Sequence, residues 1–249
     1  MKRILFINPN TSGSITDLAA EAARRAAPPG IELMPVTGRF GARYIASRAA
    51  YAIAGHAALD AYAAHGLGCD AVLLACFGDP GLDALKEIAS VPVTGLAEAS
   101  LQQAAGRAEK FAIVTGGERW GPMLEEFAAA RGFASRLLAV KTVAPSGADI
   151  AKNPGPALAL LAGACREAAS EGAGAVILGG AGLAGLAAKL QSEAPVPLIC
   201  SIEAGIAAAA ALALSPPQKP ASGDFALTPP VESAALSAEL AGLLGGREI

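Results

Sequence analysis

The sequence predicts an α/β protein of two pseudosymmetric lobes. Each lobe is a mostly parallel sheet flanked by helices, and the active site lies between them. Three observations lead to this. Short apolar runs bounded by turn residues alternate with alanine-rich stretches, the pattern of strands joined by helical crossovers. The scheme is then repeated: Gly68-Cys69-Asp70-Ala71-Val72 answers to Gly172-Ala173-Gly174-Ala175-Val176. Finally, 53% of the 249 residues are hydrophobic but only 4% are aromatic, so the core must be built from Ala, Val, Leu and Ile. Abundant alanine suits helices packed closely on a sheet.

In chain order, Ile4 to Ile7 reads as the first strand. Asn8-Pro9-Asn10-Thr11-Ser12-Gly13-Ser14 is a loop, and Ile15 to Ala26 is helical until Pro28-Pro29-Gly30 stops it. Ile31 to Val36 is the second strand, and Thr37 to Tyr44 a loop rich in Gly and Arg. A helix from about Ser47 to Ala64 precedes the strand at Ala71. That strand ends at Cys76, and the turn Gly78-Asp79-Pro80-Gly81 follows. A helix near Leu82 to Ala89 and a strand from Val91 to Gly95 complete the first copy.

In the second copy, Phe111 to Thr115 with Gly116-Gly117 takes the place of the first strand and its Asn-rich loop. Ala175-Val176-Ile177-Leu178-Gly179 repeats the central strand, with Gly180 where Cys76 stood. Val196-Pro197-Leu198 followed by Glu203-Ala204 answers to Val91-Pro92-Val93 followed by Glu98-Ala99. Ser215 to Pro230 is a loop, and Val231 to Leu244 a closing helix. Residues 1–97 with 208–249 are expected to form one lobe and 98–207 the other. Pseudo-twofold symmetry sets the Cys76 and Gly180 turns opposite each other across the cleft.

Composition excludes several functions. A net charge of −3 with no basic stripe argues against nucleic acid. The longest apolar stretch, Gly205 to Leu214, is too short to span a bilayer, and the N-terminal apolar run reads as a strand and not a leader. The four cysteines form no CxxC pair, so no metal site is expected. A cytoplasmic protein with reduced thiols is expected, and a homo-oligomer.

Cys76 is the candidate catalytic residue. It sits at the carboxyl end of a parallel strand, where open α/β sheets bind ligands. Turn amides behind it are expected to lower its pKa below the ordinary ~8.5 and leave an accessible thiolate. Asn10, Thr11 and Ser12 are expected to clamp a carboxylate or carbonyl, with Thr115 and Gly116 as counterparts. Phe77, Gly78, Gly180 and Ala181 flank the two facing turns and join them as substrate-binding candidates. Asp79 stabilises the turn, and Glu98 and Glu203 are helix-start carboxylates. His56 and His65 lie on the helix before the central strand, with no triad near them. Arg39, Arg43 and Arg48 are solvated, unless one reaches an acidic substrate.

Three strings carry a family resemblance: Ile7-Asn8-Pro9-Asn10-Thr11-Ser12, Ala75-Cys76-Phe77-Gly78-Asp79-Pro80-Gly81-Leu82 and Gly95-Leu96-Ala97-Glu98-Ala99. The chain resembles the aspartate/glutamate/hydantoin racemase superfamily, in its hydantoin and allantoin branch, up to about Leu214. The resemblance implies two lobes, no cofactor, and two cysteines that exchange a proton on opposite faces of the substrate's α-carbon. The first falls on Cys76 and the second on Gly180, so this chain would lack the second thiol. Cys200, ending the strand after Val196-Pro197, is a candidate replacement acid. The implied function is a racemase acting on a small amino acid, hydantoin or related carboxylate. The alternatives are a one-thiol decarboxylase or isomerase, and a silent binder of a small anion.

Overall fold

The computed structural model describes residues 1–247. Strands β1 (Lys2–Asn8), β2 (Ile31–Thr37), β3 (Ala71–Leu74) and β4 (Val93–Gly95) form a parallel sheet of order β2-β1-β3-β4. Strands β5 (Phe111–Gly116), β6 (Leu137–Val143), β7 (Ala175–Gly179) and β8 (Leu198–Cys200) form a second, of order β6-β5-β7-β8. The two orders are the same permutation, and the central pairs share one register. Ile4 pairs with Ala71 and Ile7 with Leu74; Phe111 pairs with Ala175 and Val114 with Leu178. Counting on from those pairs, Cys76 and Gly180 occupy equivalent places beyond their strand ends.

Helices α1 (Gly13–Ala26), α2 (Arg48–His65), α3 (Leu82–Ile88) and α4 (Leu96–Arg107) follow the strands of the first copy. The second copy carries α5 (Trp120–Ala130), α6 (Gly147–Lys152), α7 (Gly155–Ser170), α8 (Leu186–Leu190) and α9 (Ser201–Leu214). Two of these cross between the sheets. Helix α4 leaves β4 and packs on β7 and β8; helix α9 leaves β8 and packs on β1, β3 and β4. The two helices also pack on each other.

One apolar core therefore runs through both halves. It joins Ile4, Phe6 and Leu73 of the first sheet to Phe111, Ile113 and Ile177 of the second. The opposite face of the first sheet, Leu5, Ile7, Val72 and Leu74, packs on Tyr62, Leu82 and Leu85. This is the period-two alternation of a sheet buried on both faces.

The closing helix differs from expectation. Helix α10 spans only Ala238–Leu244, with the Ser237 side chain accepting from Leu240 N to cap it. Residues 215–237 form neither helix nor strand. Helix α10 packs on α2, and Arg39 ties the two by bonding both Asp60 and Glu239. Among the described residues, no helix is long and apolar enough to cross a membrane.

Candidate active site

The two facing strand ends meet at one small cavity of about 50 Å³. Asn10, Cys76, Phe77, Thr115, Gly180 and Ala181 line it. These are six of the ten sequence-derived site residues. The two turns are in direct contact through Phe77. A Cβ built on Gly179 would lie 2.3 Å from the Phe77 ring, so only glycine lets that ring seat against β7. Gly180 has φ +134, a conformation that side chains resist. The space beside it is nearly open, with Leu183 3.3 Å and Thr115 Oγ1 3.8 Å from where a Cβ would sit.

Thr11, Ser12, Gly78 and Gly116 stand outside the cavity wall and support it. Thr11 N donates to Ala42 O (3.1 Å), holding the loop after β2. Ser12 is the N-cap position of α1, but its hydroxyl makes no capping bond. Gly78 O accepts from the Tyr51 hydroxyl (2.7 Å), and Gly116 lies under Pro145 and Ile150.

Asn10 is positioned by its neighbours. Its Oδ1 accepts from Asn8 Nδ2 (3.0 Å) and Ser12 N (2.8 Å). Asn8 Nδ2 also donates to Thr16 Oγ1 (2.9 Å). With its oxygen engaged, Asn10 has its NH₂ left as a donor at the cavity. Thr115 Oγ1 donates to Gly179 O (2.7 Å), fastening β5 to the second turn.

The Cys76 environment corrects the expectation of an exposed, acidic thiol. The residue is 8% exposed. Burial, and then the charge of Asp79, push the thiol well above the usual range. The turn does not supply the amides that would lower it. Asp79, with φ +51, turns its carboxylate to the start of α4 and accepts from Ala97 N (3.0 Å) and Glu98 N (2.7 Å). Its pKa is pushed up to about 7 by burial, against those two N–H groups. Asp79 thus joins the turn to α4, as a turn-stabilising residue should. It also sets a negative charge near the thiol.

The remaining candidates fall away from the cavity. Cys200 is buried at the end of β8 and does not line it, which removes the proposed replacement acid from the cavity wall. Glu98 lies in the first turn of α4, bonded to Lys86 Nζ (2.5 Å); Glu203 is exposed in the first turn of α9. His56 and His65 are exposed on α2. Arg48 pairs with Glu126 through two bonds (2.5 and 2.6 Å), Arg39 with Asp60 and Glu239, and Arg43 is exposed.

Sequence reasoning missed Ile15, Tyr44, Ile45, Trp120 and Leu183, which give the cavity most of its apolar wall. Trp120, the sole tryptophan, opens α5 and packs on Gly78, with its ring edge-on to Tyr51 (6.4 Å). Tyr44 reaches from the loop after β2 to α6, where its hydroxyl accepts from Gly147 N (3.0 Å). An aromatic in each of two glycine-bearing loops was the available signal.

The same architecture occurs in solved racemases. The chain is 34% identical to allantoin racemase from Klebsiella pneumoniae, covering 98% of this chain and 99% of that one, with a TM-score of 0.87. Allantoin racemase from Pseudomonas fluorescens superposes with a TM-score of 0.90 at 27% identity, over 94% of this chain and 100% of that one. Hydantoin racemase from Paenarthrobacter aurescens is 34% identical over 213 residues, 84% of this chain and 90% of that protein. The family model for Asp/Glu/Hydantoin racemase matches residues 4–209. That span runs from within β1 through β8 and takes in both facing turns, and the chain belongs to the Asp/Glu/hydantoin racemase family.

Proposed function

We propose that this protein racemises a compact, uncharged ureide ring of the hydantoin or allantoin type, with Cys76 as the base on one face of the acidic ring carbon. The observation that carries this reading is the cavity wall. Among the described residues, Cys76 is its one thiol, and no Lys, Arg, His, Asp or Glu side chain lines it. A dicarboxylic amino acid would bring two anionic groups against a largely apolar wall with no cationic side chain among its described lining residues. A hydantoin brings carbonyl oxygens and N–H groups, which Asn10, Thr115 and turn backbone are suited to bind.

The chemistry follows from those groups. The thiolate form of Cys76 removes the ring-carbon proton, and the charge passes to the adjacent carbonyl oxygen. Asn10 Nδ2 is the side-chain donor for that oxygen, fixed in advance by the bonds its own Oδ1 accepts. Because the free cavity holds Cys76 as a thiol, the reaction needs one proton to leave the site before the first transfer.

The reading is tested by following optical activity for single enantiomers of allantoin, 5-methylhydantoin, aspartate and glutamate. The ureides are expected to lose ellipticity faster than without enzyme, and Cys76→Ala to remove the excess. Racemisation of aspartate or glutamate, with the ureides untouched, would overturn the substrate assignment. Release of CO₂ from a malonate, with no ureide racemised, would replace it with the decarboxylase reading.

A further inference from the structure

We propose that Tyr44 delivers the proton to the second face of the substrate carbon, the face at which Gly180 offers no side chain; this rests on the racemase reading above. Inversion requires an acid opposite Cys76. Among the described residues lining the cavity, other than Cys76, only Tyr44, Thr115, Asn10 and Trp120 have side chains that carry a proton on nitrogen or oxygen. A phenol and a thiol are ordinarily neighbours in acidity, at ~10 and ~8.5, and burial raises both Tyr44 and Cys76 here. An aliphatic hydroxyl, an amide and an indole are far weaker acids. Thr115 is nearest the open space at Gly180, but its proton is held by Gly179 O at 2.7 Å.

The placement of Tyr44 suits the role. It belongs to the loop between β2 and α2, yet its hydroxyl is tied to the second half by the Gly147 N–H. Gly147 in turn lies against the Gly180 turn: its carbonyl oxygen is 2.1 Å from where a Cβ on Gly182 would sit. The phenol is thus fixed to the wall that carries Gly180 to Leu183. Its own proton finds Gly116 O at 3.5 Å, the outer limit of a hydrogen bond. The oxygen is braced while the proton is loosely held. Burial, the largest influence, keeps the phenol protonated at rest; the Gly147 N–H and the Trp120 side chain favour the phenolate that donation leaves.

The step balances without a further reactant. The ring C–H bond breaks and a Cys76 S–H bond forms. The Tyr44 O–H bond then breaks and a C–H bond forms on the opposite face. A proton passing from Cys76 to Tyr44 through solvent, after release, restores the starting pair. In the reverse direction the Tyr44 phenolate is the base and the Cys76 thiol the acid.

The experiment follows inversion and ring-hydrogen exchange separately, in deuterated water, for each enantiomer of 5-methylhydantoin and of allantoin. Tyr44→Phe is expected to lower kcat for inversion by about 10²–10⁴-fold with KM little changed. The enantiomer whose hydrogen faces Cys76 should still exchange, and the other should not. Inversion unchanged in Tyr44→Phe, or exchange of both enantiomers falling together, would overturn the assignment. A 3-fluorotyrosine at position 44 keeps ring and hydroxyl and acidifies the phenol. It should alter inversion and leave Cys76-side exchange unchanged, and no effect on either counts against Tyr44. If wild type exchanges neither enantiomer of either ureide above the uncatalysed rate, the racemase reading fails and this proposal falls with it.

Discussion

Asp79→Asn decides whether burial or hydrogen bonding governs the carboxylate beneath Cys76. Asp79 is 1% exposed, accepts two backbone N–H bonds from α4, and has its pKa pushed up to about 7. A carboxyl that binds its proton more tightly in the fold than in the unfolded chain contributes most when protonated. Its contribution is complete below the ordinary 3.8 and is lost as pH rises through about 7. Between those two values the loss amounts to about 4 kcal/mol, at ~1.36 kcal/mol for each tenfold change in proton affinity. Asparagine keeps the size and one acceptor oxygen but cannot ionise. Its NH₂ would face one of the two α4 amides, a penalty of about 1–3 kcal/mol that does not vary with pH. Wild type is therefore expected to be the more stable protein near pH 4. The difference should move toward the variant by up to about 4 kcal/mol by pH 8. Urea unfolding of both proteins across this range measures it, since other titrating groups cancel in the difference. If wild type instead gains on the variant as pH rises, the two amides outweigh burial and the carboxylate is an ordinary anionic helix cap.

Three further predictions concern the site and its supports. Alkylation of Cys76 by iodoacetamide in the ligand-free protein should be slow and rise about tenfold per pH unit with no plateau below about pH 9; a plateau near neutrality would mean an acidic thiol after all. Gly179→Ala places a methyl 2.3 Å from the Phe77 ring and should lower stability by about 1–3 kcal/mol, with a matching loss of turnover, readable by thermal melts and kinetics. Asp60 is held below the ordinary carboxylate range chiefly by its hydrogen bonds from Arg39, so its contribution is present above the unfolded value near 3.8 and lost as pH falls. Asp60→Ala should therefore destabilise by about 1–3 kcal/mol at pH 7 and by less in acid, and it should speed proteolysis near α10.

Much of this arrangement was legible because it rests on local signals. Ile4 to Ile7, Ala71 to Leu74 and Ala175 to Gly179 are apolar runs that end at turn residues, and all three are strands. The repeat of Val-Pro and Glu-Ala steps marks the second sheet, whose strand order repeats that of the first. What was not legible depends on tertiary approach. Tyr44, from the loop after β2, and Trp120, at the start of α5, reach the cavity from places far apart in the chain, through contacts with Gly147 and Gly78 that no local pattern encodes. The direction of the Cys76 pKa was misread because Asp79 looks like a turn residue. Its carboxylate is instead buried against the start of α4, and its charge adds to burial in raising the thiol. The last helix was drawn too long because Val231 to Ser237 is apolar enough to continue it, whereas Ser237 caps it and sets its start.

Solvent exchange reads out whether Cys76 is the base of a ureide racemase. Single enantiomers of 5-methylhydantoin and allantoin are incubated in deuterated water with wild type and with Cys76→Ala, and ring deuterium is followed by NMR. Wild type is predicted to incorporate deuterium with at least one ureide well above the uncatalysed rate, and Cys76→Ala to fall to that rate while keeping its fold. Incorporation by Cys76→Ala at the wild-type rate would mean that another group takes the proton and that Cys76 is not the base.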